Sequence, residues 1–234
     1  MKKVLRKIIL TDKESDKTPA DDVITKRINN IKAIWHNEHQ DDVGLEKLLR
    51  LFLAASQFAF PGIYIKQVFS KKGMDYQELA IDIYILLKIL FPFYIIYNQT
   101  QPTYIITFLM VWLLMETILY ISTLVFASDL FDRPRSYRRS MLLMFLDYAQ
   151  IVFSYAYLYT LGNHLNKPLE HWFDSIYFSV VTSGTVGYGD YHPVTSFGKF
   201  LASSQIIIFF IIVMFLLNFF SHRMEQKGYF GNKP

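Results

Sequence analysis

The chain has no cysteine in its 234 residues, so disulfides and thiolate metal sites are excluded and redox usage says nothing about compartment. Charge is scarce too: Asp, Glu, Lys and Arg make up 19% of the residues, against 52% hydrophobic. The glycines and prolines build no low-complexity tract, and no long internal repeat is visible. No Ser/His/Asp or metal-ligand constellation stands out, which argues against an enzyme. The N-terminus, "MKKVLRKIIL", begins basic, but Arg6 and Lys7 interrupt its apolar run and no small-residue cleavage site follows, so it does not read as a signal peptide.

What the sequence does have is apolar length. Residues 79–97, 103–127, 141–161 and 199–220 each predict a membrane-spanning helix. At 1.5 Å rise, about 22 helical residues reach roughly 33 Å, enough for a hydrocarbon core of about 30 Å. Residues 168–183, "PLEHWFDSIYFSVVTS", are partly apolar but too short to cross. Lying between the last two spans, they predict a re-entrant helix, tolerated at membrane depth only when buried in protein or lining a wet cavity.

The basic residues set the orientation. Of 24 Lys and Arg, 21 fall within residues 1–72, 133–139 and 223–234, while Lys88 lies inside a span and only Lys167 and Lys199 fall on the opposite side. Both termini are thus expected in the cytoplasm of a multi-pass protein of the plasma (cell inner) membrane. Residues 45–65 would break this pattern as a full span, so they predict a helix lying in the inner interface and ended by Pro61-Gly62. Upstream, Thr18 reads as a helix N-cap and Pro19 as the first helical position. Ile24, Ile28, Ile31 and Trp35 then fall on one face of a short amphipathic helix.

Charges inside spans are expensive and are functional candidates by default. Lys88 and Glu116 lie at similar depths on antiparallel helices and predict an intramembrane ion pair, with a sensing role as the alternative. Asp82 and Asp147 are expected near the inner interface, meeting water or the basic loop. In "RPRSYRR" at 133–139 the arginines are separated by Pro134, Ser136 and Tyr137 and lie in a loop, which does not suit a voltage sensor. Arg133, Arg135, Arg138 and Arg139 instead suit anchoring, with anionic lipid head groups as candidate partners. His36 and His39 beside Glu38, Asp41 and Asp42 read as a solvated linker before a metal or proton site.

One stretch is rich in glycine. Residues 182–193 read "TSGTVGYGDYHP", with Gly184, Gly187 and Gly189 in six positions. Glycine loses the most freedom on folding, so this density implies a backbone that other residues would strain. The segment "TVGYGD" at 185–190 resembles the selectivity-filter signature of potassium channels, and the resemblance extends over about residues 141–221, through "YFSVVTSGTVGYGDYHPVTSFGKF". An ion entering a narrow pore must exchange its water for other oxygens. Neutral carbonyl dipoles bind and release it, where carboxylates would hold it too tightly.

The resemblance implies an all-α membrane protein: four transmembrane helices with a re-entrant pore helix and a filter loop, assembled as a tetramer around a central pore. It also implies the site. The carbonyls of Thr185, Val186, Gly187 and Tyr188 would coordinate K+, with Gly189 completing the filter and the Thr185 hydroxyl adding an inner ring of oxygens. The Tyr188 side chain would point away and brace the filter, Asp190 would sit at the outer mouth, and Tyr177 and Thr182 would support it. Three features depart from the family pattern. Gly184 stands where many relatives have threonine, Val181 where some have a glutamate partner for the filter aspartate, and no glycine hinge lies between Lys199 and Ser221. Ser203, Ser204 and Gln205 are then the polar positions able to soften the inner helix or line a cavity, and Met214, Phe215 and Phe219 are candidates for an inner constriction.

The expected division is 1–44, a cytoplasmic amphipathic region; 45–75, the interfacial helix and linker; 76–140, two peripheral spans and the basic loop; 141–221, the pore domain; and 222–234, a short tail. The expected function is passive K+ conduction by a homotetramer, with no nucleic acid, no organic cofactor and K+ only as the permeant ion. The alternatives are a weakly selective cation channel or a non-conducting regulatory subunit built on the same scaffold.

Overall fold

The computed structural model describes residues 22–38, 43–127 and 137–224, and among them there is no β-strand, only an isolated bridge between Leu165 and Pro193. The helices are α1 (Val23–His36), α2 (Gly44–Ser56), α3 (Pro61–Ser70), α4 (Met74–Tyr97), α5 (Tyr104–Phe126), α6 (Tyr137–Tyr159), α7 (Trp172–Ser183) and α8 (Ser196–Met224), with a single 3-10 turn at Gln57–Ala59. Among the described residues, four single helices are long and apolar enough to cross a membrane: Met74–Tyr97, Tyr104–Phe126, Arg138–Tyr159 and Ser196–Leu216. They correspond to the four apolar runs of the sequence, and α7 to the short segment between the last two.

Contacts divide the chain into two units. One is drawn from Met1–Tyr94 and Phe108–Gln150, the other from Ile95–Thr107 and Ile151–Pro234. In the first, Ile34, Ala54 and Ala127 form a buried cluster that Ile31 and Leu51 cover. The buried stripe of α1 therefore runs through Ile31 and Ile34, while Ile28 and Trp35 are 42% and 64% exposed. The expected stripe was displaced at its end because Ile34, three residues after Ile31, is the residue that meets α2. Thr18, Pro19, His39, Asp41 and Asp42 lie outside the described residues.

Pro61-Gly62 does not end a helix; it begins one. Phe60 is extended (φ −122°, ψ 151°) and Pro61 opens α3. Proline suits the first helical position because its missing N–H would have had no partner there. The resulting pair, Gly44–Ala59 and Pro61–Ser70, is bent by 68°. Gly62 is needed for close approach: its N–H donates to Glu116 Oε1 at 3.0 Å, and a Cβ would fall 2.8 Å from the same oxygen.

Candidate pore loop and membrane-embedded charges

The second unit builds the glycine-rich stretch onto α7. Asp174, in the first turn, accepts the N–H groups of Glu170 (3.0 Å) and His171 (2.9 Å), occupying donors that a helix start leaves free. Desolvation opposes its charge, yet these backbone bonds, the Tyr191 hydroxyl and the nearby His171 together hold its carboxyl below the usual carboxylate range. At the other end, Gly184 N–H bonds Val180 O (2.9 Å), Thr185 N–H bonds Thr182 O (3.1 Å) and Val186 N–H bonds Val181 O (3.0 Å). The buried last turn of α7, which includes Val181 and Thr182, thus fixes where the next segment begins.

That segment has an alternating backbone. Thr185, Gly187 and Gly189 have φ of +54°, +60° and +83°, and Val186 and Tyr188 are not among the residues with positive φ. A Cβ at Gly187 or Gly189 would meet nothing within 4 Å, so left-handed conformation rather than crowding demands glycine there. Thr185 adopts the same region without glycine's freedom, a strained conformation that the two backbone bonds to α7 hold in place. Val186 and Tyr188 are 54% and 71% exposed on the single chain.

The C-terminal end of the segment is tied down through Asn166, which carries no signature in the sequence. Asn166 bonds on both sides of the loop: its Nδ2 donates to Asp190 O (3.2 Å), its Oδ1 accepts His192 N–H (2.9 Å) and its own N–H donates to His192 O (3.0 Å). Val194 N–H donates to His164 O at 2.9 Å, continuing the pairing. Gly198 lets α8 approach this strap, since a Cβ would lie 2.9 Å from His164 O and 3.2 Å from Pro193 Cβ. The Tyr191 ring lies under Lys167 Nζ, 4.1 Å from the centroid, and 6.4 Å from the rings of both Tyr177 and Phe178. At Tyr177 partial desolvation and then the neighbouring Asp190 carboxylate raise the hydroxyl above its ordinary value.

On α8 two expectations are corrected. Gln205 does not line a cavity: it is 1% exposed, with Oε1 accepting the Tyr159 hydroxyl (2.8 Å) and Nε2 donating to Ser179 O (3.0 Å) and Ser179 Oγ (2.8 Å). Ser204 likewise faces α6, 2.9 Å from the Tyr155 hydroxyl. A buried amide must find partners, and α6 and α7 supply them. Ser203 is the exposed residue of the three, Phe215 is half-buried and Met214 exposed. The side chain of Phe219 lies outside the described residues.

The first unit holds the four charged residues singled out within the apolar spans: Asp82, Lys88, Glu116 and Asp147. Lys88 Nζ stands 3.6 Å from Glu116 Oε2 and donates to Thr117 Oγ1 at 2.6 Å. Glu116 also accepts the Tyr84 hydroxyl and the Gly62 N–H. Asp147 is 3% exposed and lines, with Lys88, Glu116, Tyr84 and Tyr120, a cavity of about 110 Å³. Asp82 binds Arg139, which also donates to Glu78 O at 3.0 Å. Arg139 is paired with the α4 carboxylates Asp82 and Glu78, Arg138 is exposed, and Arg133 and Arg135 lie outside the described residues.

Residues 140–226 match the family described as "Ion channel". Over 45 residues the chain is 44% identical to the potassium channel protein kcv of Paramecium bursaria Chlorella virus 1, a stretch that makes up 19% of this chain and 48% of that protein. The chain thus matches about half the length of that curated relative. No solved structure matches. The ion-channel likeness is therefore confined to one segment of a chain whose described residues include four helices long and apolar enough to cross a membrane.

Proposed function

We propose that the chain is a subunit of a potassium-selective channel, conducting K+ passively through a homotetramer, with both termini cytoplasmic. The observation that carries this reading is the alternation of φ at Thr185, Gly187 and Gly189 directly after α7. Alternating handedness turns successive peptide planes the same way, where an extended strand would alternate them. It thereby favours a row of carbonyl oxygens on one side, from Thr185 to Tyr188. The C-terminal end of α7, with its partial negative charge, precedes that row and favours a cation. A single chain leaves Val186 and Tyr188 exposed, which supports packing against further copies around a shared axis. The name of the viral relative, a potassium channel, points the same way.

Bi-ionic reversal potentials of the purified protein in planar bilayers test the proposal. A K+ permeability well above that of Na+ is expected, and Gly187→Ala should abolish or scramble it. Equal permeabilities would favour the weakly selective cation channel, and no flux with an intact fold would favour a regulatory subunit.

A further inference from the structure

We infer that Gln205 is a positioning residue for ion selectivity, acting on the filter through Ser179 of α7. The inference rests on the filter reading of Thr185–Asp190. Ser179, Tyr159 and Gln205 are each at most 1% exposed and meet in one hydrogen-bonded group drawn from α6, α7 and α8. The group is directional throughout. The Tyr159 hydroxyl donates to Gln205 Oε1, Gln205 Nε2 donates to both the carbonyl and the hydroxyl of Ser179, and Ser179 Oγ donates to Val152 O at 2.7 Å. The Tyr159 ring stands edge-on to Phe178, 4.6 Å between centroids, so its hydroxyl is held in place by packing as well.

Ser179 is where this matters. The next three carbonyls along α7, those of Val180, Val181 and Thr182, accept the N–H groups of Gly184, Val186 and Thr185 respectively. These bonds hold Thr185 in its left-handed conformation at the start of the alternating segment. Anchoring Ser179 to α6 and α8 therefore fixes the height and rotation of the turn from which the first carbonyls of the row are suspended. Selectivity by carbonyl dipoles depends on where those oxygens stand, so a small displacement of this turn changes the relative cost of Na+ and K+. An amide is the side chain that suits position 205, because it must accept from Tyr159 and donate to Ser179 together. Leucine does neither, and glutamate places an acceptor against the Ser179 carbonyl.

The test measures the Na+ to K+ permeability ratio of full-length Gln205→Leu in bilayers, beside wild type and Gly187→Ala, with tetramer content followed by size-exclusion chromatography. Gln205→Leu removes three buried hydrogen bonds; with the equivalent of about one of them expressed at the filter, the ratio is expected to rise roughly three- to tenfold in a channel that still assembles. A merely structural role would lower the melting temperature and leave the ratio where it was. That result in Gln205→Leu overturns the inference. If Gln205→Leu fails to assemble, Tyr159→Phe, which removes a single hydroxyl from the group, decides. A raised ratio supports the inference, and an unaltered ratio overturns it. Failure of the underlying filter reading looks different: wild type would show no K+ preference, or Gly187→Ala would leave that preference intact.

Discussion

Removing Glu116 should harm the protein more than removing Lys88, although the two face each other. Three donors converge on Glu116: Gly62 N–H, the Tyr84 hydroxyl and, at 3.6 Å, Lys88. Lys88 has Glu116 and Thr117 Oγ1. Glu116→Leu therefore leaves a buried ammonium hydrogen-bonded to Thr117 Oγ1 alone, with Asp147 as its remaining counter-charge across the cavity, and strands two further donors. Breaking a buried pair this way costs about 3–5 kcal/mol, and each stranded donor adds roughly 1 kcal/mol or more. Lys88→Met leaves a carboxylate that keeps two hydrogen bonds; the attraction between Lys88 and Asp147 is lost as well, and about 1–3 kcal/mol is expected in total. The difference, at least about 2 kcal/mol, corresponds to a melting temperature roughly 4–8 °C lower for Glu116→Leu in a chain of this size. The double variant should recover part of that loss, because replacing both members of a buried pair by apolar groups removes the uncompensated charge. Thermal unfolding of the detergent-solubilised protein, read by tryptophan fluorescence, gives the ordering. Lys88→Met melting at or below Glu116→Leu, or a double variant melting lowest of all, would refute the reasoning.

Three further outcomes follow from the pore segment. Gly198→Ala drives a methyl to 2.9 Å from the backbone oxygen of His164, which cannot swing away, so a loss of about 1–3 kcal/mol in thermal stability is expected; an unaltered melting curve would show that the strap yields freely. Asn166→Ala removes two side-chain bonds to the end of the glycine-rich loop, to Asp190 O and His192 N–H, and should shorten open bursts in single-channel records at constant voltage, with unchanged bursts counting against an anchoring role. Asp174 has a carboxyl held below its ordinary value, so its contribution is fully present above about pH 4 and is lost as pH falls through the lower native value. Asp174→Asn should therefore cost roughly 0.3–1 kcal/mol at neutral pH and make the acid limb of the stability profile shallower, and an acid limb as steep as wild type's would assign that limb to other groups.

The spans and the glycine-rich segment were legible because each is written in local sequence: apolar length for the first, and glycines at alternate positions for the second. Pro61 was misread because proline signals both the end of one helix and the start of the next, and only the extended Phe60 before it decides. Asn166 carries no local signature at all. Its bonds reach 24 and 26 residues along the chain, to Asp190 and His192, and asparagine in a loop before Lys167-Pro168 reads as ordinary turn chemistry. Ser204 and Gln205 were misplaced for a different reason. A helix that is apolar all round has no amphipathic face from which to read the direction of its few polar residues.

That direction is nonetheless constrained by a neighbour. Of the four spans, the one beginning at Arg138 is the least apolar and also the most enclosed by protein. A span facing lipid cannot satisfy polar side chains, whereas an enclosed one finds donors and acceptors on the helices around it. Asp147, Gln150 and Ser154 are all at most 3% exposed along α6, and Tyr155 and Tyr159 follow them at 4% and 1%. The two hydroxyls of that pair are the ones that meet Ser204 and Gln205. Polar residues spaced three or four apart on the least apolar span thus mark the face where polar residues of the next span belong. A polar position on an otherwise featureless inner helix is then better assigned to that face than to an open pore.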